Sequence, residues 1–511
     1  MEVIEAPVGQ LRSYVICVFA AFAGTLFGYD SGYINSVLGM THFLRVYGHE
    51  NPNDPGQFAI SSAQHSLIVS ILSAGTFLGS LFSGLLADGI GRRTSLIAGS
   101  IVFLIGVIIQ LATLNIPGIS IGRFVAGLGV GLVSSVNIMY LSEVAPRKIR
   151  GAIVSCYQFA ITIGLLLANI VTYVTRNRDD SGAFRIPIAV QCLWAVILII
   201  GLIGMPESPR FYVRKGRLDR ALTALAQVRG QLHNSEPVMQ ELIEIQAHYD
   251  FEKSRSGRSF LGAPVDRSTI RKFILGCSLQ MFQQWTGINY IFYYGTTFFQ
   301  QIGLGAGNSY TYAFVVSMIM TAVNVGASPV SFYAIERFGR RPLLIYGAIG
   351  MMICQLVVAS VGTASPKSSA AHYCLIVFVC FNIFFFASTW GPVAWVIVGE
   401  IFPLPIRSHG VAFSTASNWL WNFILALISP YMVDNPGNLK YKVFFIWGSL
   451  CACCAVFAYF HVPETKGLTL EQVDHMMEET SPRSSAGWGK RQDWTRNTSQ
   501  EQIMVDMPNK R

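Results

Sequence analysis

Asp30 interrupts the apolar segment 12–35. An ionisable side chain at the centre of such a segment costs about 2.5–3.5 kcal/mol to insert into a bilayer, so it is a functional candidate by default. Burial and a nearby cation act on a carboxyl in opposite senses, and a cation that comes and goes could load and release a proton there. Arg123 is the expected partner. It lies in Gly122-Arg-Phe-Val-Ala-Gly127-Leu-Gly129-Val-Gly131, where small residues let a neighbouring helix approach closely.

A second set of residues is neutral. Gln283, Gln284 and Asn289 occur in QQWTGIN, Asn324 in the next apolar run, Trp395 in GPVAW, and Asn418 and Asn422 in SNWLWNF, with Gln158 in the first half of the chain. Amides both donate and accept, and an indole offers an apolar platform. Together they suit a neutral ligand bearing several hydroxyls. Each amide could instead be an interhelical hydrogen bond of about 1 kcal/mol or less, the reading that fits Asn422 best. Gln284 and Asn289 are five apart, which leaves them roughly 140° apart on a regular helix. Both face one ligand only if the helix loosens at Thr286-Gly287. Tyr293 and Tyr294 follow about one turn later and are candidates for a lid.

A third set is ionic and recurs. Gly84-Leu-Leu-Ala-Asp88-Gly-Ile-Gly-Arg92-Arg93 returns as Tyr333-Ala-Ile-Glu336-Arg-Phe-Gly-Arg340-Arg341, with the acid four residues before each arginine pair. Glu143-Val-Ala-Pro-Arg-Lys-Ile-Arg150 returns as Glu400-Ile-Phe-Pro-Leu-Pro-Ile-Arg407, and Pro206-Glu207-Ser208 as Pro463-Glu464-Thr465. Such a repeat is the mark of a duplicated unit. Charges where helices meet water, in ion pairs worth roughly 0–1 kcal/mol each, suit a gate that must break in every cycle.

The elements that position these residues follow from composition. Of the 511 residues 52% are hydrophobic and 13% charged, too little charge to cover a soluble chain of this size. Apolar runs near the roughly 20-residue length of a membrane helix occur at 12–35, 63–86, 94–114, 118–141, 151–174 and 186–205. Six more occur at 271–299, 310–334, 342–362, 372–399, 408–430 and 442–461. The expectation is an all-α membrane protein of 12 transmembrane helices in two six-helix bundles, 12–205 and 271–461. The polar stretch 206–270 is read as a helical linker, 1–11 as the N-terminus, and 462–511 as a tail with one short helix at TLEQVDHMMEE and disorder beyond.

Lys and Arg accumulate in loops on one side, which the positive-inside rule assigns to the cytoplasm along with both termini. The loop with Arg176, Arg178 and Arg185 departs from this, partly offset by Asp179 and Asp180. The net charge of +9 is therefore a feature of topology, and no nucleic-acid face is expected. The ten cysteines lack the loop spacing of disulfides or of a zinc site, and no metal or cofactor is expected. No nucleophile with its base and no phosphate loop marks an enzyme. No cleavable signal precedes the first run, and the sequon at Asn497 falls in the expected cytoplasmic tail. Nothing in the sequence sets an oligomeric state.

With these residues in view, the chain resembles the sugar porters of the major facilitator superfamily. The resemblance runs from about 20 to 470 through GLLADGIGRR, GRFVAGLGVG, YLSEVAPRKIRG, PESPRFY, QQWTGINYIFYY, ERFGRR, GPVAWVIVGEIFP and PETKG. FGYDSGYIN and FASTWGPVAW are most similar to filamentous-fungal hexose transporters. It implies the major facilitator fold and a monosaccharide site near the bilayer middle, with Gln158, Gln283, Gln284, Asn289, Asn324, Trp395 and Asn418 at positions that contact sugar. It also implies that Asp30 and Arg123 form a proton-coupling pair, and hence sugar:proton symport across the plasma membrane. A facilitative hexose uniporter, a porter for another polyol or disaccharide, and a membrane sensor that binds sugar without moving it are the competing readings. One position departs from the family pattern: Ala387 stands where many animal facilitators have a glutamate.

Overall fold

The computed structural model describes residues 7–50, 58–146, 149–255, 259–260, 263–264, 267–301, 309–365, 368–433, 439–468 and 470–488. Arg147, Lys148, Asn497 and the tail beyond residue 488 lie outside the described residues. Helices α1 (Pro7–Ala21) and α2 (Ala23–Leu38) make the first crossing and α3 (Thr41–Tyr47) caps it. Then come α4 (Ser62–Ile90), α5 (Arg92–Ala112), α6 (Ile116–Val144), α7 (Arg150–Thr175) and α8 (Gly182–Ile203). Between the halves lie α9 (Pro209–Arg214), α10 (Leu218–Arg229) and α11 (Glu236–Arg255). The second half contains α12 (Arg267–Trp285), α13 (Ile288–Gln301), α14 (Ser309–Phe338), α15 (Arg340–Ala364), α16 (Ser369–Ser388), α17 (Trp390–Glu400), α18 (Arg407–Val433) and α19 (Val443–His461), followed by α20 (Leu470–Glu479). The only strands among the described residues are two antiparallel ladders of two-residue strands in loops.

Eleven described segments are long and apolar enough to cross a membrane. The twelfth expected crossing is α12–α13, which is broken. Helix α12 ends at Trp285, Gly287 takes φ +75°, and α13 begins at Ile288. Only glycine adopts that backbone without strain, so the loosening expected at Thr286-Gly287 is present. A second break, at Thr389, separates α16 from α17.

The lipid-facing surface is built as apolarity requires, with Phe82, Ile105, Ile200 and Tyr346 largely exposed. Inside each half small residues set the spacing. Gly75 and Gly79 of α4 lie against the Phe124 and Leu128 carbonyls of α6, while Gly127 and Gly131 of α6 lie against the Leu72 and Thr76 carbonyls of α4. A Cβ at any of the four would sit 2.2 Å from a backbone oxygen. This is the close backbone approach that small-residue stripes permit, and it places the Arg123 segment directly on α4.

The helices between the halves form a small core of their own, in which Val213, Ala221, Leu225, Val238 and Leu242 pack on Leu404 of the second half. Helix α20 is docked rather than free. Leu470, Val473, Met476 and Met477 are buried, and Asp474 pairs with Lys272.

Candidate functional site: an enclosed cavity between the halves

A cavity lined by both polar and aromatic side chains lies between the two halves. Its wall carries Gln158 of α7, Gln283 and Gln284 of α12, Asn289 of α13, Asn324 of α14, Trp395 of α17 and Asn418 of α18. All seven residues singled out from sequence for a hydroxylated ligand therefore meet in one place. Tyr293 lines the cavity as well. Tyr294 does not; its hydroxyl donates to the Ala426 carbonyl at 2.7 Å and its ring meets His65.

The break at Gly287 is what lets α12 and α13 present amides to one space. Asn289 Nδ2 donates to Gln284 Oε1 at 2.6 Å and Gln284 Nε2 to Asn418 Oδ1 at 3.0 Å. Asn418 Nδ2 donates to Gln283 Oε1 and to Gln280 Oε1, each at 2.7 Å. Gln283 in turn donates to the Gly391 carbonyl at 2.8 Å. The amides thus hold one another in place, and Asn324 Oδ1 is buried with no partner among the described residues. Phe27, Phe292 and Phe386 add apolar walls. Sequence reasoning missed Gln280, because a buried glutamine in an amide-rich helix looks like any interhelical bond, and it gave no signal for the phenylalanines.

Asp30 and Arg123 are both buried, with Arg123 Nη1 3.7 Å from Asp30 Oδ1. The guanidinium is committed elsewhere: Nε donates to the Ile68 carbonyl at 2.7 Å and Nη1 to Tyr33 Oη at 2.9 Å, while Tyr33 donates to Gln110 at 2.7 Å. Neither carboxyl oxygen of Asp30 has a hydrogen-bond partner among the described residues. The next residue, Ser31, lines the cavity.

The ionic residues gather at the end of the bundle where α4, α6, α14 and α17 finish. Arg92 is fully buried and grips Glu143 with two bonds of 3.1 Å, and Arg340 donates to Glu400 at 2.9 Å. Ser208 caps Glu143 and Thr465 caps Glu400, so the two halves repeat the arrangement residue for residue. The sequence reading treated these as partly wetted pairs, worth little each. Burial corrects that, because breaking one partner of a buried pair costs about 3–5 kcal/mol.

Glu207 and Glu464 belong to the same nodes. Glu207 accepts from the Arg92, Arg93 and Ser208 amides, and Glu464 from those of Arg340 and Arg341. Each carboxylate thereby caps a helix start. Burial pushes the Glu207 carboxyl above its ordinary range, with those amide bonds offsetting the shift only in part. The repeat of Pro-Glu-Ser/Thr was the signal that could have placed them in the site.

Within each arginine pair the second member does not join the ion pair. Arg93 donates to the Met205 carbonyl at 2.9 Å and Arg341 to the Tyr459 carbonyl at 2.8 Å. Asp88 pairs most closely with Arg214 of α9, with Arg92 at 3.6 Å. Glu336 takes the Ala152 amide at 3.3 Å across the halves. Arg150 is buried at the start of α7 and Arg407 donates to the Phe402 carbonyl at 3.0 Å. Ser408 joins the halves, accepting from Arg92 at 3.2 Å and donating to Asp88 at 2.5 Å. In the loop that departs from the charge rule, Arg178 forms two 2.9 Å bonds with Asp180.

Two six-helix halves with a polar cavity between them define a polytopic membrane transporter. The family model described as "Sugar (and other) transporter" matches residues 16–477. The chain belongs to that family, the sugar porters of the major facilitator superfamily, which are transporters and not enzymes. It is 45% identical over 491 residues to the major facilitator-type transporter ecdD of Aspergillus rugulosus, covering 93% of this chain and 90% of that protein. It is 40% identical to the probable glucose transporter rco-3 of Neurospora crassa, covering 91% and 79%. Among solved structures it resembles the proton:xylose symporter XylE of E. coli bound to 6-bromo-6-deoxy-D-glucose, with TM-score 0.79, 27% identity and coverage of 92% and 100%.

Proposed function

We propose that this sugar transporter carries a hexose of the glucose type by alternating access, in symport with a proton, across the plasma membrane. The observation that carries the reading is the adjacency of two sites. Seven amide and indole side chains line one cavity, and Ser31, the neighbour of Asp30 in sequence, lines it as well. A hexose fits amides that donate and accept and an indole that stacks on its ring. Sites built to release cargo bind weakly, and a Kd near 1 mM corresponds to about −4 kcal/mol. A carboxyl 3.7 Å from a guanidinium, with neither oxygen bonded, is chemically equipped to exchange a proton. The printed descriptions of the relatives, a probable glucose transporter and a proton:xylose symporter, support cargo and coupling respectively.

The charged face is read as cytoplasmic, with both termini there, because Lys and Arg concentrate on the inner side of membrane proteins. Buried ion pairs at that face and Tyr293 at the other act as the two gates, each opening while the other holds. The test is uptake of labelled glucose by a transporter-null host, with and without a proton uncoupler, and with xylose, fructose and galactose as competitors. Uptake that an uncoupler leaves unchanged removes the symport reading. Absence of glucose uptake, with the protein present at the surface, removes the cargo reading.

A further inference from the structure

Glu207 and Glu464 sit at equivalent nodes of the two halves, but their surroundings differ. At Glu464 the tail closes in. The Glu464 amide donates to Ser485 Oγ at 2.8 Å, and Arg483 lies over the Tyr459 and Phe460 rings at 5.1 and 4.5 Å. At Glu207 the corresponding space is an open pocket, lined among others by Arg93, Lys215, Arg217 and Arg220.

Glu207 also lines this space, with its oxygens turned to the amides of Arg92, Arg93 and Ser208 rather than to the four cationic side chains. Among the described residues none of the four cations has a carboxylate in ion-pair range. Arg93 Nε is buried without a partner, although its Nη1 reaches the Met205 carbonyl. Lys215 lies over the Phe211 ring at 5.7 Å. Four convergent cations around an open space, three of them donors without an acidic partner on α9–α10 or the turn between them, are the electrostatics of an anion site, and guanidinium forks match phosphate oxygens.

We propose that this pocket, between the α4–α5 turn and α9–α10, binds a phosphate group. Inorganic phosphate and the headgroup of an anionic phospholipid share that chemistry. The surroundings favour the lipid: Phe82 and Leu85 are exposed apolar residues of α4, and Ile90, exposed at the end of that helix, lines the pocket itself. An acyl chain passing Ile90 would leave its headgroup among the cations. Because Arg92 and Glu207 share the node, a bound headgroup would hold the charged face closed. The proposal stands apart from the identity of the sugar and of the coupling ion.

The test uses the full chain in detergent and its thermal unfolding with dioctanoyl phosphatidic acid, dioctanoyl phosphatidylcholine or inorganic phosphate at matched ionic strength. Wild type is compared with Arg217→Gln/Arg220→Gln, two exposed positions outside the sugar cavity and the ion-pair gate. Phosphatidic acid is expected to raise Tm saturably. The double variant should bind it about 25-fold more weakly, roughly fivefold per cation removed. A saturable effect of inorganic phosphate, lost in the same variant, assigns the site to a soluble phosphate instead of a lipid. Lys215→Gln should give a fivefold loss by itself and provides a second reading if the double variant is unstable. Equal affinity in wild type and variants, or no difference among the three additives, overturns the proposal.

Discussion

Asn422 Oδ1 accepts a 2.6 Å hydrogen bond from Ser73 and a 3.2 Å bond from Tyr293, while its Nδ2 donates to Gln284 at 3.2 Å. One side chain therefore joins the two halves, the aromatic residue over the cavity and an amide in its wall. On the proposed function, closure at this end and ligand contact would be coupled through it. Ser73→Ala removes this bond between the halves, a contribution of about 1 kcal/mol, and should weaken sugar binding roughly fivefold. Asn422→Ala leaves two partners unsatisfied and should cost more, roughly tenfold or above. Isothermal titration with glucose reads both, and a Ser73→Ala protein that binds like wild type would separate closure from binding.

Asp30→Asn keeps the shape of the site but removes its titration. Sugar-induced alkalinisation of the medium should disappear, while counterflow exchange of labelled glucose persists within a fewfold of wild type. Unchanged proton uptake would remove Asp30 from coupling.

Arg92→Ala removes the cation that Glu143 hydrogen-bonds, a loss of up to about 3–5 kcal/mol, and Glu143→Ala leaves Arg92 with only the more distant Asp88 at 3.6 Å. The double variant should lose much less than the two single losses together, because neither charge is then stranded. A double-mutant cycle on Tm measures this coupling. The same cycle on Arg340 and Glu400 should give a similar value, given the repeated geometry.

Gly287 takes φ +75°, and an added Cβ would sit 2.7 Å from the Trp447 ring. Gly287→Ala combines backbone strain of about 1–3 kcal/mol with that clash, so the folded yield should fall. Any protein recovered should bind glucose at least tenfold more weakly, since Gln284 and Asn289 lose their shared direction.

Burial acts against the charge of Glu241, yet two hydrogen bonds from Arg229 and its charge hold the carboxyl below its ordinary value of 4.5. A depressed acid stabilises the fold above its unfolded pKa and loses that contribution as pH falls through the folded value. Part of the pair is solvated, so the effect is about 1 kcal/mol or less. Glu241→Gln should therefore lower Tm by a few degrees at pH 7, and the difference should shrink as the pH falls through the folded pKa. A Tm difference independent of pH would show that packing, not charge, is what Glu241 contributes.

The apolar runs, the duplicated charges and the amide-rich motifs were all legible in the sequence. Membrane insertion is decided by about 20 consecutive side chains at a time, and a repeat needs only a second copy to be seen. The break at Gly287 was readable for the same reason: two amides five apart cannot share a ligand on a regular helix.

The chain's residues were readable in advance: an acid in an apolar helix, an arginine among glycines, and seven donors and acceptors at known positions. Their partners were not, because these depend on packing. Distance in space between helices far apart in the chain follows from how side chains interlock, which no local pattern encodes. That is why Asp88 pairs with Arg214 and contacts Ser408 rather than serving Arg92 alone, why Tyr294 turns to Ala426 while Tyr293 faces the cavity, and why the tail covers Glu464 but leaves the space beside Glu207 open.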